Sequence, residues 1–70
     1  MKKLYDFFGY ADCDTCGKPK VVPGQNMRVR APLGDIVAAR KAAENFLSRK
    51  AVKAGHEGHQ LTLHCDFRVV

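Results

Sequence analysis

The sequence predicts a small α+β fold, a two-layer β-β-β-α-β sandwich with one helix packed on one face of a mainly antiparallel sheet. Short stretches alternate apolar and polar residues with a period of two, most clearly over Met27 to Ala31 and Leu61 to Val69. One stretch, Asp35 to Ala54, carries apolar residues at helical spacing. The length of 70 residues allows a single domain, 1–70, and only a small core.

The elements follow in order. Lys3 to Ala11 is rich in aromatic residues and reads as a first strand, with Tyr5 and Phe7 on one face and Leu4, Phe8 and Tyr10 on the other. Alternation alone does not say which set faces the core. A turn carrying Cys13 and Cys16 follows. Lys20-Val21-Val22 reads as a short second strand. Val22-Pro23-Gly24-Gln25 reads as a type II turn, because Pro presets the first central residue and Gly tolerates positive φ at the second. Met27 to Ala31 is then a third strand, with Met27, Val29 and Ala31 opposite Arg28 and Arg30.

Pro32 and Gly34 end that strand, and Asp35 is a suitable helix N-cap. At about 100° per residue, Ile36, Ala39, Ala43, Phe46 and Leu47 form one stripe, with Lys41, Glu44, Asn45, Ser48 and Arg49 opposite. Gly55 is a natural terminator, and residues 55–59 read as a loop. The last strand places Leu61, Leu63, Cys65, Phe67 and Val69 on one side and Thr62, His64, Asp66 and Arg68 on the other.

Twelve basic and seven acidic residues leave a net charge of +5. Such a balance favours nucleic acid, an acidic protein or an anionic surface as partner. No segment approaches the roughly 20 apolar residues that span a bilayer, and Asp6 interrupts the apolar run near the start. The expectation is therefore a cytoplasmic protein with reduced thiols and no membrane partner. Three cysteines, an odd number, also argue against a disulfide framework.

Cys13-Asp14-Thr15-Cys16-Gly17-Lys18 is the motif with chemical content. It resembles the knuckle of zinc-ribbon proteins, whose C-x-x-C-G-K/R turn aims two thiolates at one ion. Zinc is then the candidate cofactor, with His56, His59, His64 and Cys65 as candidates to complete the ligand set. The strand order argues the other way. Three strands before the helix place His56 and His59 at the opposite end of the sheet from Cys13 and Cys16. The ends of a six-residue strand lie roughly 20 Å apart. The expectation is thus a structural turn with solvated histidines, and no cofactor. The first 16 residues also resemble the opening of thioredoxin-fold proteins such as glutaredoxins, which would imply thiol redox activity. Gly17, Pro19, Pro23 and Gly24 oppose the helix that this family needs after its second cysteine.

No nucleophile elbow, metalloprotease helix or phosphate loop is present in the sequence. The leading expectation is a non-enzymatic binding module, and the alternative is a zinc-knuckle nucleic-acid-binding protein that uses the same arginines. The face away from the helix would carry Arg28, Arg30, Thr62, His64 and Arg68 beside aromatic rings, the chemistry of a nucleic-acid platform or of a protein interface. Such a face also suits pairing of two copies in a homodimer. Lys41, Arg49 and Lys53 form a second basic set on the helix. In size, charge and architecture the chain is similar to small phage or mobile-element inhibitors of the anti-CRISPR kind. That resemblance implies occlusion of a protein or nucleoprotein partner and transfers no residue roles.

Overall fold

The structure, a computed structural model, describes residues 1–68. Val69, expected on the inward side of the last strand, lies outside the described residues. The elements are β1 (Lys2–Cys13), β2 (Lys18–Pro32), α1 (Ile36–Ala51), a widened helical turn (Val52–His56) and β3 (Leu61–Arg68). The three strands form an antiparallel sheet of order β2-β1-β3. The helix lies across one face, which makes a small α+β fold in two layers.

The inward face of β1 is set by residue size. Tyr5, Phe7, Gly9, Ala11 and Cys13 are buried, and Leu4, Phe8 and Tyr10 face away from the helix. Three small residues in the inward set let the helix come close, and it presents Ala39, Ala43, Leu47 and Ala51 to them, all fully buried. Met27, Val22 and Ala31 from β2 and Cys65 from β3 complete the core. No polar or charged residue is buried among the described residues. The N-cap is as expected: the Asp35 carboxylate accepts from the Ala38 N–H at 3.0 Å. At the other end Gly55 has φ 95°, a backbone that few residues other than glycine adopt.

One difference from the sequence reading changes everything downstream. Residues 18–32 are a single strand, and Pro23-Gly24 is not a turn. Gly24 lacks the positive φ that a type II turn requires. Two physical facts explain this. β2 is an edge strand, where proline's missing N–H costs no ladder bond. Gly24 also lies under the Phe8 ring, and a Cβ there would come within 2.7 Å of the Phe8 Cζ. The extra residues are absorbed as irregularities in the pairing between Gly9↔Gln25 and Ala11↔Val22, and between Ala11↔Val22 and Cys13↔Lys18. Lys20 takes a positive φ of 55° there, and its N–H donates to the Asp12 carboxylate at 2.6 Å.

Only two strands therefore precede the helix. The helix starts beside the end of β2 and runs back toward the turn that joins β1 to β2. Its last residues arrive where Cys13 and Leu61 are paired across β1 and β3.

Candidate metal centre

Four side chains converge at that end. Cys13 is the last residue of β1, Cys16 lies in the turn, His56 ends the widened helical turn and His59 lies in the loop before β3. Their ligand atoms all lie within 4.8 Å of one another, and together they can hold a metal ion. The expectation that the histidines sit at the far end is overturned by the merging of two short strands into β2, which moves the helix C-terminus to the other end of the sheet.

The distances are informative. The His59 Nδ1 lies 3.5 Å from the Cys13 Sγ and 3.5 Å from the Cys16 Sγ. The His56 Nδ1 lies 3.6 Å from the Cys16 Sγ and 3.4 Å from the His59 Nδ1. A tetrahedral ion with bonds of about 2.3 Å to sulfur and 2.05 Å to nitrogen spaces sulfur and nitrogen about 3.6 Å apart, and two nitrogens about 3.3 Å apart. The observed spacings match those edges. Hydrogen bonding alone does not account for them. One imidazole nitrogen carries either a proton or a lone pair, so the His59 Nδ1 can complete only one of its three contacts. A cation at the centre serves all of them.

The two residues between the cysteines strap the turn to the loop that carries His59. The Asp14 N–H donates to the Gln60 carbonyl at 2.8 Å, and the Gln60 N–H to the Thr15 hydroxyl at 2.8 Å. The Thr62 hydroxyl donates to the Asp14 carboxylate at 2.7 Å. These bonds hold the donor-bearing segments together. Their sequence signal was present in a C-D-T-C turn with Asp and Thr between the thiols, and it was missed. Cys13 is buried and Cys16 exposed. Without an ion, the hydrogen bond that the Cys16 thiol donates to Cys13 pushes it above its ordinary range, with desolvation adding to the effect. A bound cation reverses this, since a coordinating thiol is deprotonated.

Two of the four candidate completing ligands do not reach the cluster. Cys65 is buried in the core, where desolvation pushes its thiol up. His64 points to the opposite face, stacked on Tyr10 with ring centroids 4.3 Å apart and 3.2 Å from the Asp12 carboxylate. Nor does Cys16 lead into a helix as in glutaredoxins; β2 follows it.

The remaining predicted site residues fall on two surfaces. Arg28, Arg30, His64 and Arg68 share the open sheet face with Phe8 and Tyr10. That face also holds acids at the same strand parity. Asp6 pairs with Arg28 at 2.7 Å, Asp12 meets His64, and Asp66 lies opposite Phe8. The rings are occupied too, with Lys20 over Tyr10 and Arg68 over Phe8. The face is therefore mixed in charge where the sequence reading expects it basic. Lys41, Arg49 and Lys53 are exposed on the helix. No helix among the described residues is long and apolar enough to cross a membrane. Comparison with protein families, with curated proteins and with solved structures finds no match for the chain.

Proposed function

We propose that this protein is a small non-enzymatic binding module built around a structural zinc ion held by Cys13, Cys16, His56 and His59. The observation that carries the reading is a set of four donor atoms within 4.8 Å of one another, with four of the six spacings between them at the edge lengths of a tetrahedron. Two thiolates and two imidazoles form a donor set well suited to zinc. Four protein donors fill a tetrahedral shell and leave no position for substrate water, which is the pattern of structural rather than catalytic sites. The ion ties three segments of a chain whose core is small, and metal sites commonly stabilise domains of this size. The partner is a protein or nucleoprotein complex, engaged by occlusion as small inhibitors of the anti-CRISPR kind do, with nucleic acid the component that the charge favours.

Native mass spectrometry of protein expressed with added zinc tests the reading and reports oligomeric state in the same spectrum. The expected result is one zinc per chain, lost on chelation together with the folded charge-state envelope. Zinc below about a tenth of an equivalent overturns it, because a structural site of this kind binds far too tightly to be empty.

A further inference from the structure

The positive charge of the molecule is concentrated on one surface. Between residues 36 and 53 the chain carries Arg40, Lys41, Arg49, Lys50 and Lys53 against the single acid Glu44. Three of these six are turned to the fold's own contacts. The Arg40 guanidinium donates to the Cys65 carbonyl and lies over the Phe7 ring. Lys50 lies over the Phe46 ring. Glu44 is half-buried and close enough to Cys65 to help push its thiol up, so it faces β3.

What remains outward is a row, Lys41, Asn45, Arg49 and Lys53, at successive steps of four residues. Such a row drifts slowly around a helix and extends about 18 Å along it. All four side chains are exposed, and none of the three cations is in an ion pair among the described residues. Favourable interaction of cations with a helix C-terminus accounts for Arg49 and Lys53. It does not account for Lys41, which lies in the second turn, toward the end where the helix dipole disfavours a cation.

We propose that this outer row of α1 is a docking surface for the phosphate backbone of nucleic acid. The row contains long cations and one amide and no aromatic ring; the exposed aliphatic side chains near it, Val37 and Val52, are small and lie at its two ends. Protein interfaces draw most of their affinity from large buried anchors such as aromatic rings, whereas phosphate contacts need only charge and hydrogen-bond donors and carry no sequence information. The row ends one turn before the metal centre. An imidazole that ligates through Nδ1 keeps its proton on Nε2. No described residue bonds the Nε2 of His56 or His59, and no buried side-chain nitrogen is left unpartnered among the described residues, so both N–H groups face water. Zinc thus adds two fixed donors at the end of the row; this part rests on the zinc reading above.

The test uses zinc-loaded protein, with one equivalent confirmed before any binding measurement. Fluorescence anisotropy follows its binding to a labelled 20-base-pair DNA duplex, to the RNA duplex of the same sequence and to one strand of each. The expected result is saturable binding to at least one of these. For three phosphate contacts on duplex DNA, log K should fall with log salt at a slope of about −2.7, since each contact contributes about −0.9. The triple variant Lys41→Gln, Arg49→Gln, Lys53→Gln should keep its zinc, lose about tenfold or more in affinity and flatten the slope. The open-face variant Arg28→Gln, Arg30→Gln should stay within about twofold. No saturable binding by zinc-loaded protein at low salt overturns the inference, as does a triple variant with unchanged slope. Equal binding to polyglutamate also overturns it and assigns the row to an acidic protein. Protein that carries no zinc sinks the metal reading instead, so the two failures are distinguishable.

Discussion

The two ends of the sheet are closed by different means. At the end where β2 meets the helix, the Tyr5 hydroxyl accepts from the Gly34 N–H at 2.7 Å and donates to the Pro32 carbonyl at 3.3 Å. The Leu33 N–H donates to the Met1 carbonyl at 2.9 Å, and Asp35 caps the helix. These bonds close that end within the chain, and no buried side-chain polar atom among the described residues is left without a partner. At the other end the backbone strap between Asp14, Thr15 and Gln60 is also complete, but two thiols and two imidazoles face one another behind it, and pairing each thiol with one imidazole still leaves the His59 Nδ1 contacts with the Cys16 Sγ and the His56 Nδ1 without a hydrogen bond of their own. One end is finished by folding; the other presents four donor groups that could hold an ion. On the zinc reading proposed above, the protein's stability is conditional at that end only.

The largest effect should come from breaking the conditional end. Apparent zinc-binding energies of small structural sites are about 10–16 kcal/mol, comparable with the whole stability of a domain this size. Chelation, or Cys13→Ser, should abolish the cooperative thermal transition seen by circular dichroism. A shift of less than about 5 °C, equivalent to only about 1 kcal/mol, would place the two ends on the same footing and remove the structural role of the metal.

The self-contained end should respond more mildly. Tyr5→Phe keeps the ring beside Phe67 and removes only the hydroxyl. It leaves the Gly34 N–H without its partner, while the Pro32 carbonyl keeps the Asp35 N–H at 3.0 Å, at a cost of about 1 kcal/mol. Chemical denaturation should show that loss with zinc still bound. Loss of zinc in the Tyr5 variant would mean that the ends are coupled. Asp35→Ala removes the cap and should cost about 1 kcal/mol, again with the metal retained.

Much of this architecture was legible in the residues. Met27 to Ala31 and Leu61 to Phe67 alternate as the strands require, Asp35 caps where expected, and Ala39, Ala43 and Leu47 face the sheet. The choice between the two faces of β1 was open because both carry aromatic rings; the small residues Gly9, Ala11 and Cys13 decide it, and they matter only once a helix of alanines lies above them. Pro23-Gly24 misled for a related reason. The same dipeptide makes a type II turn or sits in an edge strand, and the difference lies in the Phe8 ring, sixteen residues away in sequence. Counting one strand too many reversed the direction of the helix. That reversal separated Cys13 and Cys16 from His56 and His59 on paper while leaving every local assignment nearly right. Long-range parity, not local propensity, concealed the site.

Midway between the two ends, the Asp6–Arg28 pair offers the smallest test and bears on where the charge resides. The Arg28 guanidinium bonds Asp6 through two nitrogens, at 2.7 and 3.2 Å, and this hydrogen bonding holds the Asp6 carboxyl below its ordinary range. The sign follows from linkage. A depressed carboxyl binds its proton less readily in the folded chain than in the unfolded chain. Its contribution is therefore present above the unfolded value of about 3.9 and is lost as the pH falls through the lower folded value. Stability should fall in acid for this reason among others, and the pair's share is small because Arg28 is exposed and Asp6 only half-buried. A carboxyl-carbon NMR titration isolates it: Asp6 should titrate low in the parent, return toward its ordinary range in Arg28→Gln, and stay low in Arg30→Gln. An Asp6 that titrates identically in all three would mean that the pair does not persist in solution. The open face would then regain a free arginine, and the contrast between a neutralised sheet face and a basic helix would weaken with it.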